Sequence, residues 1–595
     1  MLYPISNPYR QCLDLSGFWD FRTDPDDQGV TAGWPAGFDG GQPIAVPASW
    51  NDQFTDLRDY LGPVWYQTRF DVPWGWAERR IHLRFNSVNY MAEVWLNGIP
   101  LGTHEGGHLP FAFDVLHYVR PEDNVLVVRV EGLLAPDRVP PGNVSPDPLD
   151  GFGVNLHPPA AFDFFPYCGI QRPVLLYAMP HGAIHDLTVT TDIDGTTGRV
   201  HVRMAHSAGE AATAHFRLDG HGAALAAEVP VLDAEVEAEL AVPEAALWAP
   251  GSPHLYTLTV ELESHGAPYD RYTLPVGIRT VAVEGDQLLL NGQPVYLKGF
   301  GRHEDFPITG RGLVPAVIVK DYALMQWIGA NSFRTTHYPY SEPMMDLADR
   351  LGFLVIDETP AVGLFFRKEG LDQRLAVCRQ QIKELIARDK NHPSVILWSL
   401  ANEPHSQRRA AKAFFRALYD LARSLDPTRP VTVVSFLGEQ EEAFAFCDVV
   451  CLNRYAGWYT HSGRIDEGCA ALSAELDALH ARYPKPLILT EFGADTIPGW
   501  HALPAEMFSE EYQAELLMRT IEVARSKPFV VGEHVWNLCD FKTPQAVHRA
   551  GAINYKGVFT RDRRPKLAAH RLREVWAGEQ AASEGTRQSS LFLSA

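Results

Sequence analysis

The chain is poor in cysteine, and it contains no long apolar run. Its 595 residues include seven cysteines, an odd number without any Cys-x-x-Cys spacing. This pattern argues against a disulfide framework and a cysteine metal knuckle, and we interpret most of the thiols as small buried side chains. The N-terminus, MLYPISNPYRQCLDLSG, has no basic segment followed by an apolar one. No later stretch could span a bilayer, so we expect a cytoplasmic protein without a membrane partner.

Basic residues are also scarce. Lysine and arginine number 52 against 73 aspartates and glutamates, which gives a net charge of −21, and no basic cluster interrupts the acidic surplus. Nucleic acid is therefore not an expected partner. The glycine-rich loops that hold phosphates are absent, and no cluster of His, Cys and Asp stands out as a ligand set. We accordingly expect no cofactor and no metal, and we disfavour a nucleoside or metal hydrolase.

The residue pattern changes twice along the chain, whose length is several times that of a typical single domain. Over residues 1–180, short alternating runs such as RIHLRFNSV and NVLVVRVEG are separated by turn signals, and the Asn-Gly pair in AEVWLNGIPLG marks a hairpin. We predict a jelly-roll, sugar-binding-like β-sandwich there. Residues 181–277 form a second all-β stretch whose length and strand spacing fit an immunoglobulin-like sandwich.

Buried strands alternate with helical patterns over residues 278–595, which is the sequence form of a parallel (β/α)8 barrel. Eight candidate strands can be counted: YLKGFGRHED, NSFRTTHYP, GFLVIDET, VILWSLANEP, VTVVSF, DVVCLNRY, LILTEFG and VVGEHVWNL. The connection FFRKEGLDQRLAVCRQQ, which follows the third strand, is short and mostly helical in pattern. The predicted fold class is therefore multidomain, with two β-sandwiches ahead of a C-terminal TIM barrel.

Two glutamates stand at the ends of apolar, β-branched runs: Glu403 follows VILWSLAN, and Glu491 follows PLILT. Such runs are typical of strands buried on both faces. In a barrel, the end of each strand points into the C-terminal mouth, where active sites lie. A pair of carboxyl groups there indicates glycosidic bond cleavage, because one can protonate the leaving oxygen while the other attacks the sugar or activates water. The alternative for either residue alone is a helix cap or a salt bridge.

Nearly every predicted barrel strand ends in polar, charged or aromatic side chains that could bind a substrate or take part in catalysis. Convergence of such residues at one rim is what a barrel active site requires. The other strand-end residues are, in chain order, His303, Glu304, Arg334, His337, Asp357, Glu358, Asn402, Asn453, Tyr455 and Trp536.

Motifs in a fixed order and spacing make the chain similar to a known family. They run from LSGFWDFR, HEGGHLPFAFDV and FDFFPYCGIQRPV through GFGRHED, NSFRTTHYPY, IDETPAVG and RDKNHPSVILWSLANEP to CLNRYAGWY, TEFGADT and GVFTRDRRPK. Over essentially its whole length the chain resembles glycoside hydrolase family 2, and the finer matches resemble the β-glucuronidases of that family. The resemblance implies an exo-acting, retaining hydrolase of terminal β-D-glucuronides, either small-molecule or glycan-derived. We also expect a homo-oligomer.

The resemblance implies roles for the two glutamates and a neighbour. Glu403 would be the general acid/base and Glu491 the nucleophile of a double displacement. This chemistry needs Glu403 to be protonated at neutral pH, through burial and the second carboxylate, while Glu491 stays ionised. Asn402 would donate a hydrogen bond to the sugar 2-hydroxyl.

Four further positions match family residues near the nucleophile. Arg334 and Tyr455 would hold Glu491 and keep it charged; the alternative is a structural ion pair and a core tyrosine. His303 and His337 match histidines of the rim. For these two residues, direct contact with substrate and a supporting role behind other residues are both open.

The substrate class rests on a smaller motif. In GAINYKGVFT, Asn554 and Lys556 resemble the Asn-x-Lys pair with which β-glucuronidases bind the C6 carboxylate of the sugar. A carboxylate in a partly dry pocket needs a cation and a donor. The alternative is a loop asparagine and a solvated lysine. The other residues expected to bind substrate are Asp163, which would reach over from the first sandwich, and Asn453, Tyr455, Tyr459, Trp536 and Arg549.

Enzymes with the same machinery and another sugar are the closest rivals. Asn554 and Lys556 argue against the neutral sugars of β-galactosidases and β-mannosidases, whereas a β-galacturonidase, whose sugar differs at C4, is not separable from sequence. A carbohydrate-binding protein that has lost catalysis is disfavoured because Glu403, Glu491 and Arg334 are all present. The short connection after the third barrel strand implies an open aglycone side.

Overall fold

A computed structural model of the chain describes residues 2–144, 156–208, 212–366 and 370–578. These ranges contain two antiparallel β-sandwiches and a closed parallel barrel. This is the predicted fold class, with a jelly-roll sandwich, an immunoglobulin-like sandwich and a TIM barrel in that order. No helix within the described ranges is long and apolar enough to cross a lipid bilayer.

The first sandwich packs a four-stranded sheet on a six-stranded sheet. Buried residues alternate with half-buried ones, as in Met91–Leu96, so one face of each sheet enters the shared core. The predicted hairpin is confirmed: Asn97 and Gly98, both at positive φ, join Met91–Leu96 to Ile99–Glu105. The smaller sheet comprises Gln11–Asp14, Val174–Met179, Arg80–Phe85 and Phe111–Asp114, the larger comprises Gln42–Val46, Gly17–Thr23, Val64–Phe70, Asn124–Glu131, Met91–Leu96 and Ile99–Glu105, and Trp50–Gln53 is a short helix.

The second sandwich has seven strands, in sheets of three and four. The first described residues, 2–10, lie against this sandwich although they precede the other one. Arg10 donates to the buried Asp270 at 2.8 Å, and Leu2 and Ile5 contact the core of the second sandwich. The strands are Ile184–Asp194, Thr197–His206 and Glu235–Val242 in one sheet, and Ala223–Pro230, Ala212–Gly220, Tyr256–Ser264 and Ala267–Val276 in the other.

Eight parallel strands close the barrel, and the first strand pairs with both the second and the eighth. All eight predicted strands are confirmed. Helices cover the barrel outside and side chains fill it inside, so the strands are buried almost throughout. They are β1 (Leu297–Gly301), β2 (Ser332–Arg334), β3 (Leu354–Glu358), β4 (Val395–Asn402), β5 (Val431–Ser435), β6 (Val450–Asn453), β7 (Leu487–Glu491) and β8 (Val530–Val535).

Helices connect the strands of the barrel. Two of them end at Gly329 and Gly352, in a left-handed backbone conformation that a residue without Cβ adopts readily. The helical pattern predicted after the third strand is confirmed from Leu371 onward, and residues 367–369 lie outside the described residues. The helices are α1 (Pro315–Ile328), α2 (Glu342–Leu351), α3 (Leu371–Asp389), α4 (Arg409–Leu425), α5 (Ile465–Arg482) and α6 (Glu510–Arg525), and residues 567–578 are also helical.

Ion pairs fasten the first sandwich to the mouth of the barrel. Asp52 accepts hydrogen bonds from Arg561 and from the Tyr167 hydroxyl, each at 3.0 Å, and it forms an ion pair with Lys542. These charges are largely buried, so each of them depends on its partners. The contacts hold the loop over residues 160–167 of the sandwich at the open end of the barrel.

The substitution Asp321→Ala should destabilise the barrel by about 3–5 kcal/mol. Asp321, on α1, accepts hydrogen bonds from Arg302 at 2.6 Å and Arg563 at 2.9 Å, and all three side chains are buried. Its loss would leave two guanidinium groups without a counter-ion in the interior. Urea unfolding followed by tryptophan fluorescence measures the change. The control is Asp420→Ala, which removes the exposed partner of Arg416; an equal effect of both substitutions would contradict the prediction.

Candidate active site

Glu491, the last residue of β7, is held by a cation and a hydroxyl group. Its carboxylate forms an ion pair with Arg334, the last residue of β2. It also accepts a hydrogen bond from the Tyr455 hydroxyl at 2.7 Å. Arg334 is completely buried and Glu491 is 4% exposed, so this ion pair lies inside the mouth of the barrel, where screening by solvent is weak.

Glu403 lies just beyond the end of β4, where the backbone turns. Its φ of 46° lies in the left-handed region, and its backbone N–H donates to the Val434 carbonyl at 2.9 Å. Asn453, at the end of β6, donates to the Glu403 carboxyl group at 2.8 Å. Burial, and after it the charge of Glu491, raises the pKa of Glu403 to about 7. This side chain can therefore carry a proton at neutral pH, which an ordinary glutamate does not.

A third carboxylate, Glu358 at the end of β3, completes the surroundings of Arg334. One Arg334 nitrogen donates to both Glu358 oxygens at 2.9 Å, Ser399 donates to one of them at 2.8 Å, and His337 Nδ1 lies 3.0 Å away. Burial opposes the charge of Glu358, but Arg334, His337 and Ser399 together outweigh it and lower the pKa of this carboxyl group. The sequence indicated Glu358 only as a strand-end residue, and its role as counter-ion of Arg334 was not predicted.

His303, His337 and Trp536 form one wall of the site. His337 stacks on Trp536 with ring centres 5.0 Å apart, and His303 meets Trp536 edge-on at 5.4 Å. Burial, followed by the neighbouring His337, lowers the pKa of His303 well below its ordinary value, so its ring is neutral. His303 Nδ1 lies 3.1 Å from the Tyr338 hydroxyl, while the buried Nε2 has no partner among the described residues.

Two cations and two carboxylates form a second cluster beside the glutamates. Lys556 forms an ion pair with Asp495, and its ammonium group donates to the Tyr459 hydroxyl at 2.9 Å. Arg549 lies 3.2 Å from both oxygens of Asp495 and donates to Asp163 at 2.9 Å. Lys556 and Asp495 are almost completely buried, whereas Tyr459 is 56% exposed. We call these five residues the cation pocket.

Asn554 joins the cation pocket through Asp163, to which its amide donates at 2.8 Å. The backbone there is fixed because Ile553–Asn554 pairs with Phe541–Lys542 in a short antiparallel ladder after β8. Burial opposes the charge of Asp495, but the two cations of the pocket outweigh it and lower the pKa of this carboxyl group. The two cations therefore stabilise the charged form of Asp495.

Tyr455 connects the two clusters. Its hydroxyl donates to Glu491, and the Lys556 ammonium lies 5.7 Å from the centre of its ring. Asn402 belongs to the same network, since its side-chain oxygen accepts a hydrogen bond from Arg334 at 3.2 Å. The structure thus brings the residues predicted to act on or bind the substrate into one connected group at the C-terminal end of the barrel. Two other strand-end residues have different partners, since Glu304 accepts a hydrogen bond from Arg172 of the first sandwich at 3.0 Å and Asp357 accepts one from Thr335 at 2.9 Å.

Asp495 is a site residue that sequence reasoning missed. It stands four residues after Glu491, in TEFGADT, so it lies beyond the end of β7 and is not marked by the strand pattern. The available signal was indirect: Arg549 and Lys556, if buried, need carboxylate partners. Asp163 alone could not serve both.

The expectation that the sequence has no metal-ligand motif is wrong in one respect, because it contains a formal match to a zinc motif. Residues 104–108 read HEGGH, which fits HExxH. That motif binds zinc when both histidines lie on one face of a helix, whereas His104 lies on the strand Ile99–Glu105. His108 stacks on Tyr338 with ring centres 4.5 Å apart. The segment therefore does not have the geometry of a zinc site.

Asp346, Asp349 and His392 are the one group among the described residues whose side chains lie close enough to share a metal ion. His392 Nδ1 lies 2.6 Å from Asp349. Burial opposes protonation of this imidazole, but Asp349 outweighs it and raises the pKa of His392 to about 10. A protonated imidazole does not bind a metal. The group also lies where α2 ends and β4 begins, at the opposite end of the barrel from the carboxyl groups.

Family models match three consecutive parts of the chain. The model described as "Glycosyl hydrolases family 2, sugar binding domain" matches residues 12–180, and the one described as "Glycosyl hydrolases family 2" matches residues 182–279. The model described as "Glycosyl hydrolases family 2, TIM barrel domain" matches residues 281–580. Together they span both sandwiches and the barrel.

Several proteins that are similar to this chain over nearly its whole length are named β-glucuronidases. The β-glucuronidase of Paenibacillus borealis is 42% identical over 97% of this chain and 98% of its own length, and that of Sus scrofa is 41% identical over 96% and 92%. The structure of the Dictyoglomus thermophilum β-D-glucuronidase has a TM-score of 0.87 at 40% identity, with 97% and 99% coverage. The Ruminococcus gnavus β-glucuronidase in complex with D-glucaro-1,5-lactone has a TM-score of 0.90 at 37% identity, again with 97% and 99% coverage. The chain therefore belongs to glycosyl hydrolase family 2 and is a glycoside hydrolase.

Proposed function

We propose that the chain is an exo-acting β-glucuronidase that cleaves terminal β-D-glucuronides with retention of the anomeric configuration. The observation that carries the proposal is the short separation between Glu491 and the cation pocket, which one Tyr455 ring bridges. A sugar placed with C1 at Glu491 would bring an acidic C6 group near Lys556. The names of the compared relatives, and the lactone bound to the Ruminococcus gnavus protein, support the same substrate class.

In the first step, Glu403 donates its proton to the glycosidic oxygen while Glu491 attacks C1. The bond between C1 and the leaving oxygen breaks, and the sugar becomes covalently bound to Glu491. The environments suit these roles, because the pKa of Glu403 is raised to about 7 while Glu491 is paired with Arg334.

In the second step, Glu403 takes a proton from water, whose oxygen attacks C1 and releases Glu491. Formation of the ester has by then removed the negative charge of Glu491. That charge is one of the causes that raise the pKa of Glu403. The same side chain therefore becomes a carboxylate at the stage when a base is needed.

Substrate contacts are proposed for the residues around these two. The side-chain oxygen of Asn402 accepts hydrogen bonds from Arg334 and Asn453, each at 3.2 Å, which leaves its amide N–H groups to donate to the sugar 2-hydroxyl. Lys556 and Asn554 would bind the C6 carboxylate, as charge-assisted and neutral donors respectively. The remaining proposed contacts with the sugar are those of Asp163, Asn453, Tyr455, Tyr459, Trp536 and Arg549, and His303 and His337 are proposed to support the site.

The substitution Lys556→Ala should lower kcat/KM for p-nitrophenyl β-glucuronide about ten- to a hundredfold. It removes a charge-assisted hydrogen bond of roughly 1.5–3 kcal/mol. On the β-glucoside, which lacks the carboxylate, the weak rate should stay unchanged or rise. Initial rates on both substrates and on the β-galacturonide and β-galactoside measure this, with the exposed-lysine substitution Lys412→Ala as control. We would abandon the substrate assignment if the β-galactoside were the faster substrate, or if Lys556→Ala slowed both kinds of sugar equally.

Replacing each of the two glutamates by alanine should affect activity in a different way. Glu491→Ala should abolish cleavage of every substrate, whereas Glu403→Ala should spare those with good leaving groups, because an activated phenolate needs little protonation. Azide should restore turnover to Glu403→Ala and give a β-glycosyl azide. Product configuration by NMR is the measurement. An α-configured azide would exclude the retaining mechanism, and equal losses on activated and unactivated substrates would void the two roles.

The pH dependence should report the protonation of Glu403. Because its pKa is raised to about 7, the acid form persists up to neutral pH and is lost above it. For a substrate with a poor leaving group, kcat/KM should therefore fall as the pH rises through about 7. The same fall of kcat/KM above pH 7 should be absent from the residual activity of Glu403→Ala on an activated substrate. If the fall persisted in this variant, it would have to be assigned to another group.

A further inference from the structure

Lys566 lies next to the cation pocket, and its ammonium group uses all of its hydrogen-bond donors there. The side chain is 1% exposed. Its nitrogen lies 2.7 Å from the Asp540 carboxylate, 2.9 Å from the Tyr555 carbonyl and 3.1 Å from the Thr496 carbonyl. An ammonium group has three N–H donors, and here each has an acceptor.

The two carbonyl groups belong to the two segments that build the cation pocket. Tyr555 stands between Asn554 and Lys556, and Thr496 directly follows Asp495. The segments are also joined directly, because the Thr496 N–H donates to the Tyr555 carbonyl at 3.0 Å and the Tyr555 N–H donates to Asp495 at 2.9 Å. Lys566 therefore bonds to the backbone on both sides of the ion pair between Asp495 and Lys556.

Gln513, on α6, holds the same segments from another direction. Its amide nitrogen lies 3.2 Å from the Lys556 carbonyl and 3.1 Å from the Ala494 carbonyl. Two buried polar side chains thus converge on a stretch of backbone that carries the cation and its counter-ion. One charged and one neutral donor differ in strength, so Lys566 is the stronger of the two.

We infer that Lys566 is a positioning residue that fixes Lys556 and Asn554 relative to Asp495, and so determines the preference for an acidic sugar. This inference rests on the proposed function. A displacement of about 1 Å at a binding group can change rates about a hundredfold, so loss of these bonds should weaken binding of the substrate carboxylate and lower kcat/KM. For a sugar without a carboxylate, kcat/KM should change far less.

The substitution Lys566→Met tests this role because it keeps the length of the side chain and removes the donors. Burial raises the pKa of Asp540 to about 7 even with Lys566 beside it, so without the lysine this acid takes up a proton at neutral pH. The variant therefore does not leave an unpaired buried charge. The ratio of kcat/KM for the β-glucuronide to that for the β-glucoside should fall about ten- to a hundredfold, mainly through KM for the glucuronide.

A double-mutant cycle separates positioning from general support of the fold. If Lys566 acts mainly through Lys556, adding Lys566→Met to Lys556→Ala should lower the ratio much less than it does in the wild type, because Asn554 is then the only positioned donor that remains. Lys485→Met is the matched control, since that lysine also donates to three backbone carbonyls, of Phe444, Ala445 and Cys447, at the other end of the barrel. It should lower thermal stability without changing the ratio.

Several outcomes would overturn the inference. They are an unchanged ratio in Lys566→Met, a full additional loss in the Lys556→Ala background, or an equal change of the ratio in Lys485→Met. If Lys566→Met fails to fold, Gln513→Met takes its place, with a smaller change of the same sign expected and the same cycle applied. Failure of the substrate assignment itself is distinguishable, because it would appear in the wild type and in Lys556→Ala before Lys566 is altered.

Discussion

The ion pair between Arg334 and Glu491 is the interaction on which the site depends. A guanidinium group without exposure to water is stable only with carboxylate partners, and the ends of two other strands, β3 and β7, supply them as Glu358 and Glu491. Glu358 remains Arg334's partner when the proposed ester on Glu491 forms, so the arginine never lacks a counter-ion. Burial, and after it the neighbouring Glu491, raises the pKa of Glu403. One buried cation thus holds in place the carboxylate that contributes to this shift.

In the cation pocket, too, buried cations are paired with carboxylates, here two of each. Lys556 and Arg549 would be unstable as isolated buried cations, and Asp495 and Asp163 neutralise them. The pocket is therefore ordered before a substrate arrives. In the proposed function, an incoming uronate shares donors that are already aligned, so little freedom is lost when it binds.

Much of this arrangement could be predicted from the sequence, because it depends on local pattern. Each barrel strand is a short apolar run, and a strand end such as Asn402 or Asn453 points to the mouth wherever the neighbours lie. Contacts that depend on packing could not be predicted in this way. Asp495 lies in a loop, and its pairing with Lys556, 61 residues away, is set by how the last two barrel loops fold together. The attachment of residues 2–10 to the second sandwich also depends on which apolar surface is nearest.

The contact between Asp163 and Arg549 has a consequence for how such chains can be recombined. A gene fragment that begins at residue 278 would encode both glutamates and the whole barrel. It would lack Asp163 and the ion pairs that Asp52 forms with the barrel. Arg549 would then keep only Asp495, which Lys556 also needs. The barrel is consequently not an interchangeable module, and chimaeras between relatives should inherit the first sandwich and the barrel from the same parent.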